Sequence, residues 1–72
     1  LPSHTADTIA SILRVWEKGL DVFEGDKEAF SKFLHSSNRN LGDIIPINIL
    51  DSETGRYEIL QALDRLEYGL YG

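Results

Sequence analysis

From the N-terminus, the large apolar residues fall at Ile9, Ile12, Leu13, Trp16, Leu20 and Phe23. Steps of three and four residues trace one face of a helix with 3.6 residues per turn. The spacing predicts a helix from about Asp7 to Phe23, with Ser3, Thr5 or Asp7 offering an N-cap oxygen. Trp16 lies on this stripe and reads as core. Gly19 lies inside the helix, at a cost of about 1 kcal/mol against alanine unless close packing requires it. Glu24-Gly25-Asp26 breaks the pattern, and Asp26 is placed to cap a second, shorter helix. Ala29, Phe30, Phe33 and Leu34 share one face of that helix.

Between His35 and Gly42 the residues are mostly Ser, Asn, Arg and Gly, with Leu41 the apolar exception, which predicts an irregular connection. The segment Ile44-Ile45-Pro46-Ile47-Asn48-Ile49-Leu50 reads in two ways. Its isoleucines suit a buried strand. Pro46, however, removes a ladder donor and is favoured at the first position of a helix. We read one helical turn from Pro46 to Leu50 that plugs the core, with the strand as the alternative. Asp51 to Gly55 then opens a last helix carrying Ile59, Leu60, Leu63, Leu66 and Tyr68 or Leu70 at helical steps. Gly69 stands where a left-handed residue would end it. The pattern predicts an all-α domain of two long helices and one or two short ones.

Length and charge narrow what such a domain does. Its 72 residues allow a single compact domain. There is no Cys, which removes disulfides, thiolate metal sites and cysteine chemistry. Twelve acidic against seven basic residues give a net charge of -5, opposing a phosphate-neutralising face for DNA. The longest apolar runs fall far short of the ~20 residues that span a bilayer, so no membrane role is expected. No basic-then-apolar leader argues for export. The chain contains no Met and begins Leu1-Pro2-Ser3, which predicts an excised piece of a longer protein.

Candidate chemistry is sparse. His4 and His35 lie far apart in sequence with no clustered ligands, so a zinc site is not expected, and both read as exposed helix-end residues. Glu24 to Glu28 lacks the ligand order of a calcium loop and reads as an acidic turn. Ser36 and Ser37 neighbour His35 in sequence, but nothing orients such a group as a nucleophile. No phosphate-cradling glycine motif occurs. No catalytic residue, cofactor or metal is expected, and the domain is not read as an enzyme. Arg14, Arg39, Arg56 and Arg65 scatter among acids and read as a solvated polar surface. The end of the chain stands apart. Leu66, Tyr68, Leu70 and Tyr71 surround a helix stop, and tyrosine gives large contact area for little rotamer entropy. Either this tail folds back on its own core or it plugs a partner.

Several strings, in order, resemble the C-terminal toxin-binding domain of the MbcA/ParS/Xre antitoxin family. Val22-Phe23-Glu24-Gly25-Asp26-Lys27-Glu28-Ala29 is similar to the family's "vFGd-x-x-A". Phe33-Leu34 stands where Trp-Leu is usual, and Asn38-Arg39-Asn40-Leu41-Gly42 is similar to "pN-x-x-LgG". Pro46-Ile47-Asn48-Ile49-Leu50 resembles "P-L-d-L-L", and Thr54-Gly55 the end of "T-x-x-G", with Ser52 at the threonine position. Asp64-Arg65-Leu66-Glu67-Tyr68-Gly69-Leu70-Tyr71 resembles the closing "g-R-I-E-y-G-v". Ser37 replaces the family's Pro, Asp43 its second Gly and Phe33 its Trp.

The resemblance implies a bacterial antitoxin module whose partner is a RES-domain, NAD-degrading toxin. It also implies an N-terminal Xre-like DNA-binding region elsewhere in the longer protein, and no direct nucleic-acid contact by this piece. In that picture Arg65 and Glu67 sit near the tip of the last helix and pair with charged groups of the toxin. Tyr68, Leu70 and Tyr71 fill its cleft, and Gly69 permits the turn that aims them. The competing reading is a helical oligomerisation or adaptor module of a transcriptional regulator, in which the apolar tail pairs with a second copy and forms a homo-oligomer. An acidic nucleic-acid mimic ranks last, because the carboxylates intermix with Lys and Arg.

Overall fold

Proline at a helix N-terminus gives up no hydrogen bond and arrives with helical φ already set. The first helix, α1, accordingly runs from Pro2 to Val22, several residues earlier than the apolar spacing indicates. This computed structural model describes residues 2–68, and side chains over 6–68. Glu24 (φ 54°) and Gly25 (φ 80°) reverse the chain. The Gly25 N–H closes the end of α1 by donating to the Leu20 carbonyl at 2.7 Å. Asp26 caps α2, Lys27–His35, by accepting from the Ala29 N–H at 3.1 Å.

The connection after α2 is more ordered than its polar composition suggests. Asn38 accepts from the Asn40 N–H and starts a 3-10 turn, Arg39–Leu41, that drives Leu41 into the core. Its backbone also pairs with Ile44 in an isolated antiparallel bridge. Gly42 (φ 71°) and Asp43 (φ 65°) both take left-handed conformations. Asp43 thus occupies, at some backbone cost, a position where the resembling family carries glycine; aspartate is among the side chains that tolerate that region. A second 3-10 turn, Pro46–Ile49, is the single helical turn that Pro46 predicted, and the strand alternative falls away. Pro46 is fully buried beneath it.

Ser52 ends the loop by accepting from the Gly55 N–H at 2.9 Å, the N-cap bond of α3, Glu53–Tyr68. A Cβ at position 55 would overlap the Ile49 carbonyl, so only glycine lets α3 start this close to the second 3-10 turn.

The core is built where α3 crosses α1 and α2. Ile59, Ala62 and Leu63 of α3 meet Val15 of α1, Phe30 and Leu34 of α2, and Leu41. Phe30 is its centre. Trp16 meets the Phe30 ring edge-on at 5.0 Å, Phe23 lies at 5.9 Å, and Phe33 stacks at 6.3 Å. Gly19 is explained here, because a Cβ would overlap the Phe30 ring.

Two expectations are corrected. Up to Gly19 the face of α1 turned inward bears Ser11, Val15 and Gly19 and not the large residues Ile9, Leu13 and Trp16, while Leu20 and Phe23 further along the stripe pack against the core as expected. Ile9 (53 % exposed), Leu13 (55 %) and Trp16 (45 %) therefore stand largely in solvent. The reason is steric: small residues let α1 approach α3 and Phe30 closely, whereas a row of Ile, Leu and Trp would hold the helices apart. Arg56, read as a solvated cation, is buried at 5 % exposure. It lies on the same helical face as Ile59 and Leu63, so the core claims it.

Candidate partner-binding surface

Helical spacing sorts the polar residues of α3 onto different sides. Tyr57, Gln61 and Arg65 follow one another at intervals of four and point away from the core, with Tyr68 one turn further on. All are exposed, Tyr57 at 62 % and Tyr68 at 69 %. Where this face meets the Arg39–Leu41 turn, a cavity of about 210 Å³ opens between Asn40, Tyr57, Gln61 and Arg65, floored by Leu41 and Ala62. With Glu58 also lining it, the rim offers amide, phenol, carboxylate and guanidinium groups over an apolar floor, a mixture suited to a protein side chain. Asn40, Tyr57 and Gln61 were not singled out from sequence. For Tyr57 and Gln61 the signal is the four-residue interval that leads to Arg65; Asn40, in the preceding turn, had none.

Glu67 is turned the other way. Its Oε1 accepts from Lys18 Nζ at 2.7 Å, and the same ammonium reaches Asp64 Oδ1 at 2.8 Å. Lys18 also lies 5.6 Å from the centre of the Tyr68 ring, within cation–π range. The hydrogen bonds to Asp64 and then Glu67 hold the Lys18 ammonium well above the ordinary lysine pKa. The Lys18 hydrogen bond, followed by one from Tyr68, holds the Glu67 carboxyl below its usual value. Glu67 in turn pushes the Tyr68 phenol up. Lys18 thus ties the last turn of α3 to the middle of α1. It lies on the inward side of α1, one turn from Val15, where a lysine needs a carboxylate partner.

Of the residues expected to bind a partner, Arg65 and Tyr68 are exposed near the tip of α3, and Glu67 is engaged by Lys18. Gly69, Leu70 and Tyr71 lie outside the described residues. At the other end of the α1–α3 seam, Arg56 Nε donates to Ser11 Oγ at 2.8 Å, and its Nη1 donates to the Leu50 carbonyl at 2.9 Å. Among the described residues no group of His, Cys, Asp and Glu could hold a metal ion, and no helix is long and apolar enough to cross a membrane.

An all-α scaffold with an ordered helix tip and an exposed, chemically mixed face defines a small interaction domain. The chain belongs to the Xre/MbcA/ParS antitoxins of toxin–antitoxin systems, its residues 18–69 matching the antitoxin Xre/MbcA/ParS C-terminal toxin-binding domain. It is similar to an antitoxin Xre of Photorhabdus laumondii, 32 % identical over 62 residues that cover 86 % of this chain and 42 % of the relative. It is also similar to an antitoxin Xre of Yersinia enterocolitica, 32 % identical over 66 residues covering 92 % of this chain and 45 % of the relative. The chain spans less than half the length of these relatives. No solved structure matches it significantly.

Proposed function

We propose that this domain neutralises a RES-domain toxin, an enzyme that consumes NAD, by seating the end of α3 at the toxin's active site. The observation that carries the reading is the chemistry of that end within a toxin-binding family. Arg65 and Tyr68 stand exposed near the tip of a helix whose last turn is pinned to α1 by Lys18. A pinned tip is pre-organised, so little ordering entropy opposes docking.

In this reading Arg65 pairs with acidic groups at the mouth of the cleft. Tyr68, Leu70 and Tyr71 fill its apolar part, and Gly69 allows the turn between them. Glu67, held by Lys18, fixes the tip. The antitoxin performs no reaction; it blocks dinucleotide access. In the full-length cytoplasmic protein, a further region of the Xre type binds operator DNA.

The test compares the 72-residue chain with a version ending at Glu67, each co-expressed with the cognate toxin while cellular NAD is measured. The shortened chain is expected to keep its helical circular dichroism yet bind toxin on the order of 100-fold more weakly, the loss typical of removing central aromatic anchors. NAD then falls. Full protection by the shortened chain would overturn the reading.

A further inference from the structure

The polar side chains that shape this fold are spent on one another. Asp26, Asn38 and Ser52 act as caps, Arg56 is held by Ser11 and Leu50, and Lys18 by Asp64 and Glu67. The cavity between α3 and the Arg39–Leu41 turn is different. The side chains of Asn40, Tyr57, Glu58, Gln61 and Arg65 converge on it, and none of them has a hydrogen bond, ion pair or ring contact among the described residues. Beneath them Leu41 and Ala62 supply a buried apolar floor. The two charges lie at opposite ends, since Glu58 and Arg65 are seven residues apart on α3, about 10 Å of helix rise. Towards Glu58 the cavity thus offers a carboxylate and the Tyr57 ring, with the Asn40 and Gln61 amides along its length.

We infer that this cavity receives an arginine side chain of the toxin. The inference rests on the reading of α3 as the toxin-facing helix and extends the contact from its tip to its middle. Arg65, one turn short of Tyr68, lines the cavity and makes it continuous with the exposed tip. The match to the toxin-binding domain, residues 18–69, takes in every residue of the lining. Arginine is the side chain whose needs these groups meet together. Its aliphatic stem lies on Leu41 and Ala62. Its planar guanidinium stacks on the Tyr57 ring. Its N–H donors meet the Glu58 carboxylate and the amide oxygens of Asn40 and Gln61. A lysine would make neither the stack nor the fork. A carboxylate would be drawn to Arg65 but opposed by Glu58. Arg65, at the far end, is left for acidic groups of the toxin. The charge of the chain agrees, because a net -5 attracts a basic surface and steers the encounter.

The experiment measures the affinity of the full-length antitoxin for its cognate toxin by titration calorimetry. Glu58→Gln decides, because the sign of its effect differs with the occupant. An arginine in the cavity makes Glu58→Gln bind on the order of 10-fold more weakly, and Glu58→Lys on the order of 100-fold. Tyr57→Leu, which removes the ring and keeps apolar bulk, is expected to weaken binding about 5-fold. Both positions are exposed, so helicity and melting temperature should stay as they are. Glu17→Gln removes the same charge from the exposed side of α1 and is expected to leave affinity unchanged. Unchanged binding by Glu58→Gln means a neutral occupant or none, and tighter binding means a carboxylate beside Arg65; either result overturns the inference. So does an equal loss with Glu17→Gln, which would show overall charge alone at work. An antitoxin ending at Glu67 separates this inference from the reading of the tip. Should it bind as well as the whole chain while Glu58→Gln still weakens binding, the tip reading fails and the cavity stands. Should it lose binding while Glu58→Gln does not, the cavity alone fails.

Discussion

Helix α1 carries two apolar faces that meet opposite fates. The inward face is made of small residues, Ser11, Val15 and Gly19, and is almost sealed from water. The outward face carries Ile9, Leu13 and Trp16, far more hydrophobic, and remains half exposed. Hydrophobicity alone would have assigned them the other way round. What decides is the distance of approach: Gly19 makes room for the Phe30 ring, and Phe30 organises Trp16, Phe23 and Phe33 around itself. Ile9 and Leu13, with no such ring to approach, stay half exposed.

The sharpest way to break that comparison is to truncate one residue on each side of it. Phe30→Ala removes the centre of the core and is expected to cost about 3–5 kcal/mol, the range for a buried aromatic. A domain of this size holds roughly 4–10 kcal/mol in all, so urea unfolding should show most of its stability gone. Leu13→Ala at low protein concentration should change stability by no more than about 0.5 kcal/mol, because its side chain is half exposed and both residues favour helix. Equal costs would mean that the outward stripe is in fact packed within the monomer.

A smaller effect is expected at the polar end of the inward face. Arg56 is buried and held by the Ser11 hydroxyl and the Leu50 carbonyl. No buried side-chain polar atom lacks a partner among the described residues, so each of these bonds matters to its neighbours. Ser11→Ala strands the Arg56 Nε–H and should cost about 1–3 kcal/mol. Arg56→Met keeps the aliphatic stem and removes the charge, and should cost a similar amount. Because the two side chains share one bond, the double mutant should be less destabilised than the sum of the singles. Strict additivity in thermal melts would show that the contact carries no coupling.

How far the sequence disclosed this arrangement depends on which cue was available. The Asp26 cap, the helical turn at Pro46 and the Ile59–Leu63 face of α3 each followed from a local rule, and each stands as expected. The stripe of α1 did so only at Leu20 and Phe23, because periodicity marks an apolar stripe without saying what covers it. Gly19, four residues from Val15 and eight from Ser11, was the available clue: small residues at helical spacing announce close approach. Arg56 was legible in principle, three residues before Ile59 on the same face, but a charge count averages over position. The ordered turn at Asn38–Asp43 was obscured by its polar composition, since the Asn38 side chain and two left-handed residues shape it and Leu41 is its one apolar anchor in the core. Of the candidate surface, the position of Arg65 and Tyr68 at the end of the last helix was legible. Lys18 was not, for its partners lie 46 and 49 residues further along the chain.

The smallest effect lies at that lysine, and pH separates its parts. The raised Lys18 value means that its stabilising contribution is complete below its unfolded value of 10.5 and fades as pH climbs through the higher folded value. The lowered Glu67 value acts in the opposite sense: its contribution is complete above 4.5 and fades as pH falls through the lower folded value. The clamp should therefore hold α3 to α1 on a plateau between those limits and loosen at both edges. Lys18→Met should lower the melting temperature by a few degrees at neutral pH and flatten both edges of its pH profile. Added salt should shrink the difference, because these carboxylates are partly solvated. If Lys18→Met left the pH profile of the melt unaltered, the ammonium would be a bystander, and the stiffness of the α3 tip would have to come from Leu66 and the apolar seam alone.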